Sequence, residues 1–376
     1  MNYKEYLTSD ILPFWINNAI DDNFGGIFTC LDEVGNIYGE EKSVWFQGRA
    51  LWAFSKAYNI IEQNPLYLET AKKIYNFLPF CSDIDERMFF TVTRDGKPIQ
   101  KRRYFFSETF AAIGCAEYYV ATHDKNAWNK AEKYFDIAYN LFKNPNLTVP
   151  KFNPENAPYK SLSPVMIMLS TAQVMRSVDK DKYAPIVSEI LQELLNGGYL
   201  REDALLEHVS TTGNPVNTPT GRIVNPGHSL ECAWFLMSEG LYLKDRKIIE
   251  QSTKIIDFSM KRGFDNGGII AFTDVCGMPP VALEWDMKLW WPQCEAMIAN
   301  KLAYEITNIS KYKNNFDTLE EYAFSHFADR KNGEWYGYLH YDGTVSTTLK
   351  GNMFKGPFHI PRMIMIMANT EKYFQI

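Results

Sequence analysis

The sequence predicts an all-α fold: a closed barrel of six inner helices wrapped by six outer ones, with short β-hairpins in the loops at one mouth. Three observations predict it. Apolar stretches resume after a capping, Pro, Gly or polar residue at Trp45, Ser107, Ser163, Pro226, Pro292 and Pro361, at intervals of 62, 56, 63, 66 and 69 residues. Such intervals are too long for an ordinary solenoid unit but hold two helices and a loop. Short alternating stretches ending near Asp-Gly or Gly separate many of the helices. Two of the six starts carry a histidine, in Asn225-Pro226-Gly227-His228 and in Gly356-Pro357-Phe358-His359-Ile360-Pro361. If all six starts open on one mouth, these histidines face each other across one pocket.

The elements follow in order. A first outer helix is expected near 3–20. The stretch 24–32, with Gly35-Asn36 as its turn, reads as a hairpin, and the first inner helix begins at Trp45. A second outer helix near 66–80 leads through the hairpin 88–96 to the inner helix at Ser107. The third outer helix, near 124–142, runs into a Pro-containing loop, 144–158, before Ser163. The fourth, near 181–197, is followed by a Thr/Gly/Pro stretch, 210–226. There Asn225 caps the next inner helix and Pro226 takes its first position. The fifth, near 243–262, precedes a hairpin at 267–274 and the start at Pro292. The sixth, near 313–327, precedes a hairpin at 334–343 and the start at Pro361. No Pro/Ser-rich linker divides the chain, so 1–376 reads as a single domain. The long loops fall where the inner helices begin, and a functional site belongs on that side.

Composition narrows the function. The net charge is −6 and no basic block or stripe occurs, which makes nucleic acid and anionic membrane surfaces poor partners. The start MNYKEYLTSDILPFWINN has no basic region ahead of an apolar core, and no run of about 18 apolar residues exists, so neither a leader nor a membrane span is expected. Cys30, Cys81, Cys115, Cys232, Cys276 and Cys294 are scattered without a CxxC pair, as free thiols in a reducing cytoplasm would be. The nine tryptophans suit both a core and a pocket that stacks on sugar rings.

His228 falls near the third position of its helix, where the positive end of the dipole is expected to lower its pKa and favour the neutral form. Glu231, three residues on, shares its face and is expected to fix its tautomer or contact substrate. Pro357 and Pro361 stiffen the backbone around His359, and Arg362 follows by three, offering a fork of donors to paired oxygens. Arg49 shares an aromatic face with Trp45 and Trp52, and a cation there needs a partner. Glu295 lies in the first turn of the fifth inner helix, where a carboxylate favours the dipole. Trp290 and Trp291 either stack on a sugar or close the core. Glu207, beside His208, precedes a mouth loop and is a further candidate acid. His123, His326 and His340 lack acidic or histidine neighbours at ligand spacing. No HExxH, Walker loop, convincing GxGxxG or serine elbow occurs, and no spacing supports a metal.

These residues resemble the N-acylglucosamine 2-epimerase family, which includes cellobiose 2-epimerases and aldose–ketose isomerases. The resemblance runs through residues 24–59, FFTVTRDGKPI, FFSETFAA, NPGHSLECAWFL, KLWWPQCEAMIA and KGPFHIPRM, in family order along almost the whole chain. It implies an (α/α)6 barrel, His228 and His359 as two acid/base histidines, and Arg49, Glu231, Glu295 and Arg362 around the sugar. It adds Trp45, Trp291, Gln293, Glu207 and Lys160 as substrate contacts. Gln293 departs from the histidine that N-acylglucosamine epimerases commonly carry after WWP. The third inner helix lacks the histidine found there in cellobiose epimerases and in mannose or sulfoquinovose isomerases, which favours the N-acylglucosamine branch.

The implied reaction inverts C2 of an open-chain aldose, N-acetylglucosamine against N-acetylmannosamine or a close sugar, through an enediolate-like intermediate. One histidine removes the C2 proton and the other reprotonates the opposite face. Arg49, with Arg362, is expected to stabilise the oxyanion. No redox cofactor is required, since hydrogen leaves and returns as a proton. Nucleotide activation, seen in some members, stays open, as no phosphate loop is present; a homodimer is expected from the resemblance alone. The alternatives are an aldose–ketose isomerase using the same enediolate, a glycoside hydrolase or lyase drawing on Asp21, Asp32, Glu284 or Asp286, and a non-catalytic sugar sensor or partner-binding protein, against which the His/His/Arg/Glu set speaks.

Overall fold

The computed structural model describes residues 1–102 and 104–374. Among the described residues twelve helical runs alternate outer and inner. The outer helices are α1 (Tyr3–Tyr6, Leu7–Ile11 and Leu12–Ala19, the middle segment a π turn), α3 (Pro65–Phe77), α5 (Lys125–Lys143), α7 (Lys180–Asn196), α9 (Arg246–Gly263) and α11 (Ser310–His326). The inner helices are α2 (Val44–Ile60), α4 (Phe106–Thr122), α6 (Leu162–Arg176), α8 (Pro226–Leu243), α10 (Trp290–Thr307) and α12 (His359–Ala368). Every expected inner start lies within two residues of the observed one. A short α13 (Thr370–Phe374) follows.

Asx caps launch most outer helices. Asn64, Asp124, Asp179 and Asp245 accept from backbone N–H groups of the first turns of α3, α5, α7 and α9. The inner helices are buried around most of their circumference; α8 buries Leu230, Ala233, Leu236 and Met237 together with Ser229 and Glu231. Such helices lack a polar stripe because both sides are packed. Three inner helices end on residues with positive φ, His123 (59°), Lys244 (55°) and Asn308 (54°), which reverse the chain within a few residues into the next outer helix. Gly48 lets α2 and α4 touch: a Cβ there would lie 2.5 Å from the Phe110 carbonyl carbon.

The strands do more than form local hairpins. Local pairs occur at Cys30–Leu31 with Ile37–Gly39, Thr91–Val92 with Pro98–Gln100, and Tyr338–Leu339 with Val345–Thr347. Four times, the strand just before an inner helix pairs with the following unit. Lys42–Ser43 joins Thr91–Val92, Tyr159–Ser161 joins His208–Ser210, Ile223–Val224 joins Thr273–Asp274, and Lys288–Leu289 joins Tyr338–Leu339. The stretch expected as one hairpin at 267–274 is therefore divided: Gly268–Ile269 pairs back to Phe264–Asp265, while Thr273–Asp274 crosses to the preceding unit. Leu31 bridges Gly351, so the last unit closes on the first.

Buried ion pairs pin these loops. Lys42 Nζ bonds Asp21 (2.9 Å) and the Gly25 carbonyl, and Lys350 Nζ bonds Asp329 (2.9 Å) and the Gly333 carbonyl. Asp21 also takes Arg94, and Asp32 caps its own turn by accepting from the Val34 and Asn36 N–H groups. Neither carboxylate lines the main cavity, nor do Glu284 and Asp286. Among the described residues all six cysteines are free, with only Cys276 exposed. No described helix is long and apolar enough to cross a membrane.

Candidate active site

A cavity of about 1330 Å³ opens at the mouth where the inner helices begin. His228 and His359 both line it and both lie close to Trp291, whose ring centroid is 5.1 Å from that of His228 and 5.8 Å from that of His359. Local sequence explains the placement. The Asn225 side chain caps α8 at the His228 N–H (3.0 Å). A Cβ on Gly227 would meet the Trp291 ring at 2.7 Å, so glycine lets α8 begin directly against the indole.

The two imidazoles are held alike and charged differently. His228 Nδ1 lies 2.9 Å from Glu207 Oε1, and His359 Nδ1 lies 2.8 Å from Glu295 Oε1. A carboxylate only accepts, so each Nδ1 carries a proton and each Nε2 is left for the ligand. Burial opposes the charged form of His228. Glu207, by charge and hydrogen bond, with Glu231 and Glu295 behind it, overcomes that and raises the pKa above the usual imidazole value. His359 is driven well below it, first by burial, then by Arg362, with Arg49 and His228 adding to the effect against Glu231. Burial likewise opposes ionisation of Glu207, yet its coupling to His228 holds the carboxyl below its ordinary range. One ring thus tends to hold a proton and the other to lack one, the pattern expected of an acid and a base in one site.

Two expectations are corrected here. The dipole of α8 does not set the charge of His228; the contact with Glu207 outweighs it. Nor does Glu231 hold that ring. Its carboxylate accepts from Arg362 Nη2 at 2.5 Å, and the same nitrogen donates to Glu295 Oε1 at 2.8 Å. Glu207, reached through backbone bonds Glu207 N to Ile223 O (3.2 Å) and Leu162 N to Glu207 O (3.0 Å), is the partner instead. Glu295 is more than a helix-dipole acid. It is fully buried and binds His359, Arg362 and Trp234 Nε1, the last at 2.8 Å. Trp234, which pattern reading missed because it resembles any core tryptophan, fixes the second oxygen of that carboxylate.

Glu231, Glu295 and His359 place one ligand atom each within 4.8 Å of one another, the one group among the described residues with this metal-like spacing. Arg362 Nη2 sits among them and bonds both carboxylates, so a guanidinium holds the cation position. Burial disfavours its charge, but Glu295 and Glu231 more than compensate and raise its pKa.

Arg49 lies in an aromatic cage, 4.1 Å from the Phe110 ring centroid, 5.1 Å from Phe358 and 5.5 Å from Trp45. Arg49 Nη1 donates to the Phe354 carbonyl at 3.3 Å, and among the described residues no carboxylate lies within 4.0 Å of the guanidinium. Burial pulls its pKa down. Three buried donors around the cavity are unspent: Arg49 Nε, Arg362 Nε and Trp290 Nε1. Unsatisfied buried donors are rare, and each calls for an explanation.

The remaining candidates divide. Trp45 and Trp291 line the cavity. Lys160 lines it farther out, with its ammonium on Glu193 at 2.8 Å. Gln293 does not line it. Fully buried, it accepts from Ile269 N (2.8 Å) and donates to Ile269 O (2.8 Å) and Leu289 O (2.9 Å). Gln47 does the same to Ile27 and Ser43 in the first unit. Gln293 is thus a loop clamp repeated by pseudosymmetry, with both amide N–H donors spent and the side chain buried away from the cavity.

A family model described as N-acylglucosamine 2-epimerase (GlcNAc 2-epimerase) matches residues 26–359. The N-acylglucosamine 2-epimerase of Bos taurus is 34% identical over 371 residues, covering 94% of this chain and 87% of that protein. That of Homo sapiens is 31% identical over 366 residues, covering 94% and 86%. The cellobiose 2-epimerase of Dictyoglomus turgidum is 22% identical over 383 residues, with 96% of each covered. In fold, a sugar epimerase from a ruminal bacterium superposes with TM-score 0.85 at 22% identity, covering 98% of both chains. A D-mannose isomerase does so at 0.83 and 16%, covering 100% of this chain and 97% of its own.

Proposed function

The chain belongs to the N-acylglucosamine 2-epimerase family and is a sugar 2-epimerase, and from that premise we propose that it interconverts N-acetylglucosamine and N-acetylmannosamine. The observation that carries the chemistry is the pair of differently charged histidines that line one cavity beside Trp291.

The reacting species is the open-chain aldose, because the C1 aldehyde acidifies the C2 proton. Neutral His359 accepts that proton at Nε2. The electron pair of the broken C2–H bond forms a C1=C2 double bond and the carbonyl pair moves onto the C1 oxygen, giving an enolate that keeps the acylamino group on C2. The unspent donors of Arg49 and Trp290 are suited to that oxygen and its neighbours; one prearranged donor of this kind is worth about 3–4 kcal/mol in the transition state. His228, holding a proton through Glu207, delivers it from Nε2 to the opposite face of C2. The reverse reaction runs with the roles exchanged. A tuned acid or base contributes about 10²–10⁴-fold. Arg362 holds Glu231 and Glu295 in place through its ion pairs, and Glu295 keeps His359 in the tautomer that leaves Nε2 basic. Hydrogen moves only as a proton, so the scheme calls on no redox cofactor.

The test is product analysis with N-acetylmannosamine and, separately, mannose. N-acetylglucosamine from the first is the expected product. Fructose from mannose, with N-acetylmannosamine untouched, would replace this reading by an aldose–ketose isomerase.

A further inference from the structure

We propose that the outer part of the cavity is an acyl gallery, a site for apolar N-acyl chains longer than acetyl carried on C2 of the sugar. This deepens the functional reading above and rests on it. The volume asks for such an occupant: about 1330 Å³ exceeds the roughly 300–1,000 Å³ of pockets that enclose whole drug-sized ligands, and an N-acetylhexosamine is smaller than those.

The direction follows from where the chemistry sits. Arg49 is on α2, His228 and Glu231 on α8, Trp291 on α10, His359 and Arg362 on α12. The remaining inner helices, α4 and α6, supply Phe106, Phe110, Ser163, Met166, Ile167 and Ser170, with no charge and no imidazole. A C2 substituent that takes no part in proton transfer is accommodated against this wall. From there the cavity continues past the end of α5 and under the loop 144–158, lined by Phe142, Val149, Phe152, Pro158, Tyr159 and Tyr199.

Two of the three lysines in this outer part are already matched by carboxylates. Lys143 pairs with Glu189 and Lys160 with Glu193; Lys151 lies 5.0 Å from the Phe152 ring centroid and 3.4 Å from His208 Nε2. A phosphate would have to compete for these cations, and a second sugar ring would press hydroxyls against rings and prolines wherever it missed the few polar side chains, Asn146, Thr148, Gln192 and Asn196. An alkyl chain meets neither obstacle. It would also cover apolar surface that is otherwise wet: Val149 is 75% exposed although it faces the cavity.

The experiment compares kcat and KM for N-acetyl-, N-butanoyl- and N-hexanoylmannosamine on the intact protein, with cellobiose as a further substrate. Each methylene buried in an apolar site is worth about fourfold in affinity. The expected result is a KM at least tenfold lower for the hexanoyl than for the acetyl sugar, at similar kcat. Phe152→Asp should bring the hexanoyl-to-acetyl ratio of kcat/KM back toward one. A kcat/KM that falls with chain length, while N-acetylmannosamine is turned over, would overturn the gallery and leave the epimerase reading intact. Turnover of cellobiose in preference to the hexanoyl sugar would reassign the gallery to a second sugar ring. No turnover at any chain length would sink the functional reading and the gallery with it.

Discussion

Replacing Glu207 by glutamine tests the idea that this carboxylate, and not the helix dipole or Glu231, keeps a proton on His228. The contact is 2.9 Å, with the carboxylate side chain 10% and the imidazole 27% exposed. A hydrogen bond to a charged group in such a setting is worth about 1.5–3 kcal/mol, a factor of roughly 10–150 in the protonated fraction. Glutamine keeps the shape and an acceptor oxygen but not the charge. The alkaline limb of kcat/KM, which reports loss of the proton from His228, should therefore move to lower pH, with activity at pH 8 reduced by about that factor. The acid limb, set by neutral His359, should not move. Stability carries the same signature. The raised His228 pKa contributes stability that is complete below its unfolded value, 6.5, and is lost as pH rises through the folded one. The lowered Glu207 pKa contributes stability present above its unfolded value, 4.5, and lost as pH falls through the folded one. Thermal melts of the two proteins should therefore differ most between about pH 4.5 and 6.5 and converge on the alkaline side. An unmoved alkaline limb, or a stability difference that grows with alkalinity, would refute the assignment.

Other variants probe the rest of the site. Arg49→Lys keeps a charge but loses the planar fork in its aromatic cage, and should lower kcat by about 10²–10³ with an unchanged melting temperature; unaltered kcat would remove Arg49 from the chemistry. Arg362→Met strands the buried Glu231 and Glu295 and should cost about 3–5 kcal/mol in denaturant titrations. A cost below about 1 kcal/mol would show that those carboxylates do not depend on it. Gln293→Ala leaves the Ile269 N–H and carbonyl without their partner, a penalty of about 1–3 kcal/mol per buried group. The folded fraction should keep its KM, and a large rise in KM at unchanged stability would return Gln293 to the substrate.

Much of this was legible in the sequence because the barrel is a repeat. Helix starts at caps and prolines place six inner helices to within two residues, and starts at one mouth force His228 and His359 together. The loops were harder. Alternation marks a strand but not its partner, so the pairing of each pre-helix strand with the following unit could not be read from 42–43 or 288–289. Within the site, spacing along one helix suggested that Glu231 serves His228, since it considers only neighbours three or four residues away. The partner that wins, Glu207, arrives from another segment 21 residues distant. Gln293 was misplaced because a motif position carries a role only if its side chain turns inward, and the pseudosymmetric Gln47 shows that this one turns to the loop. Trp234 gave no signal at all, because its use depends on one N–H meeting Glu295 across two helices.

The most direct measurement is proton NMR of N-acetylmannosamine incubated with the protein in D₂O. The account predicts N-acetylglucosamine carrying deuterium at C2, since a proton taken by one histidine is replaced by a solvent-derived one from the other. Product that retains its original C2 hydrogen, or a sugar in which C2 never exchanges, would contradict the two-histidine mechanism.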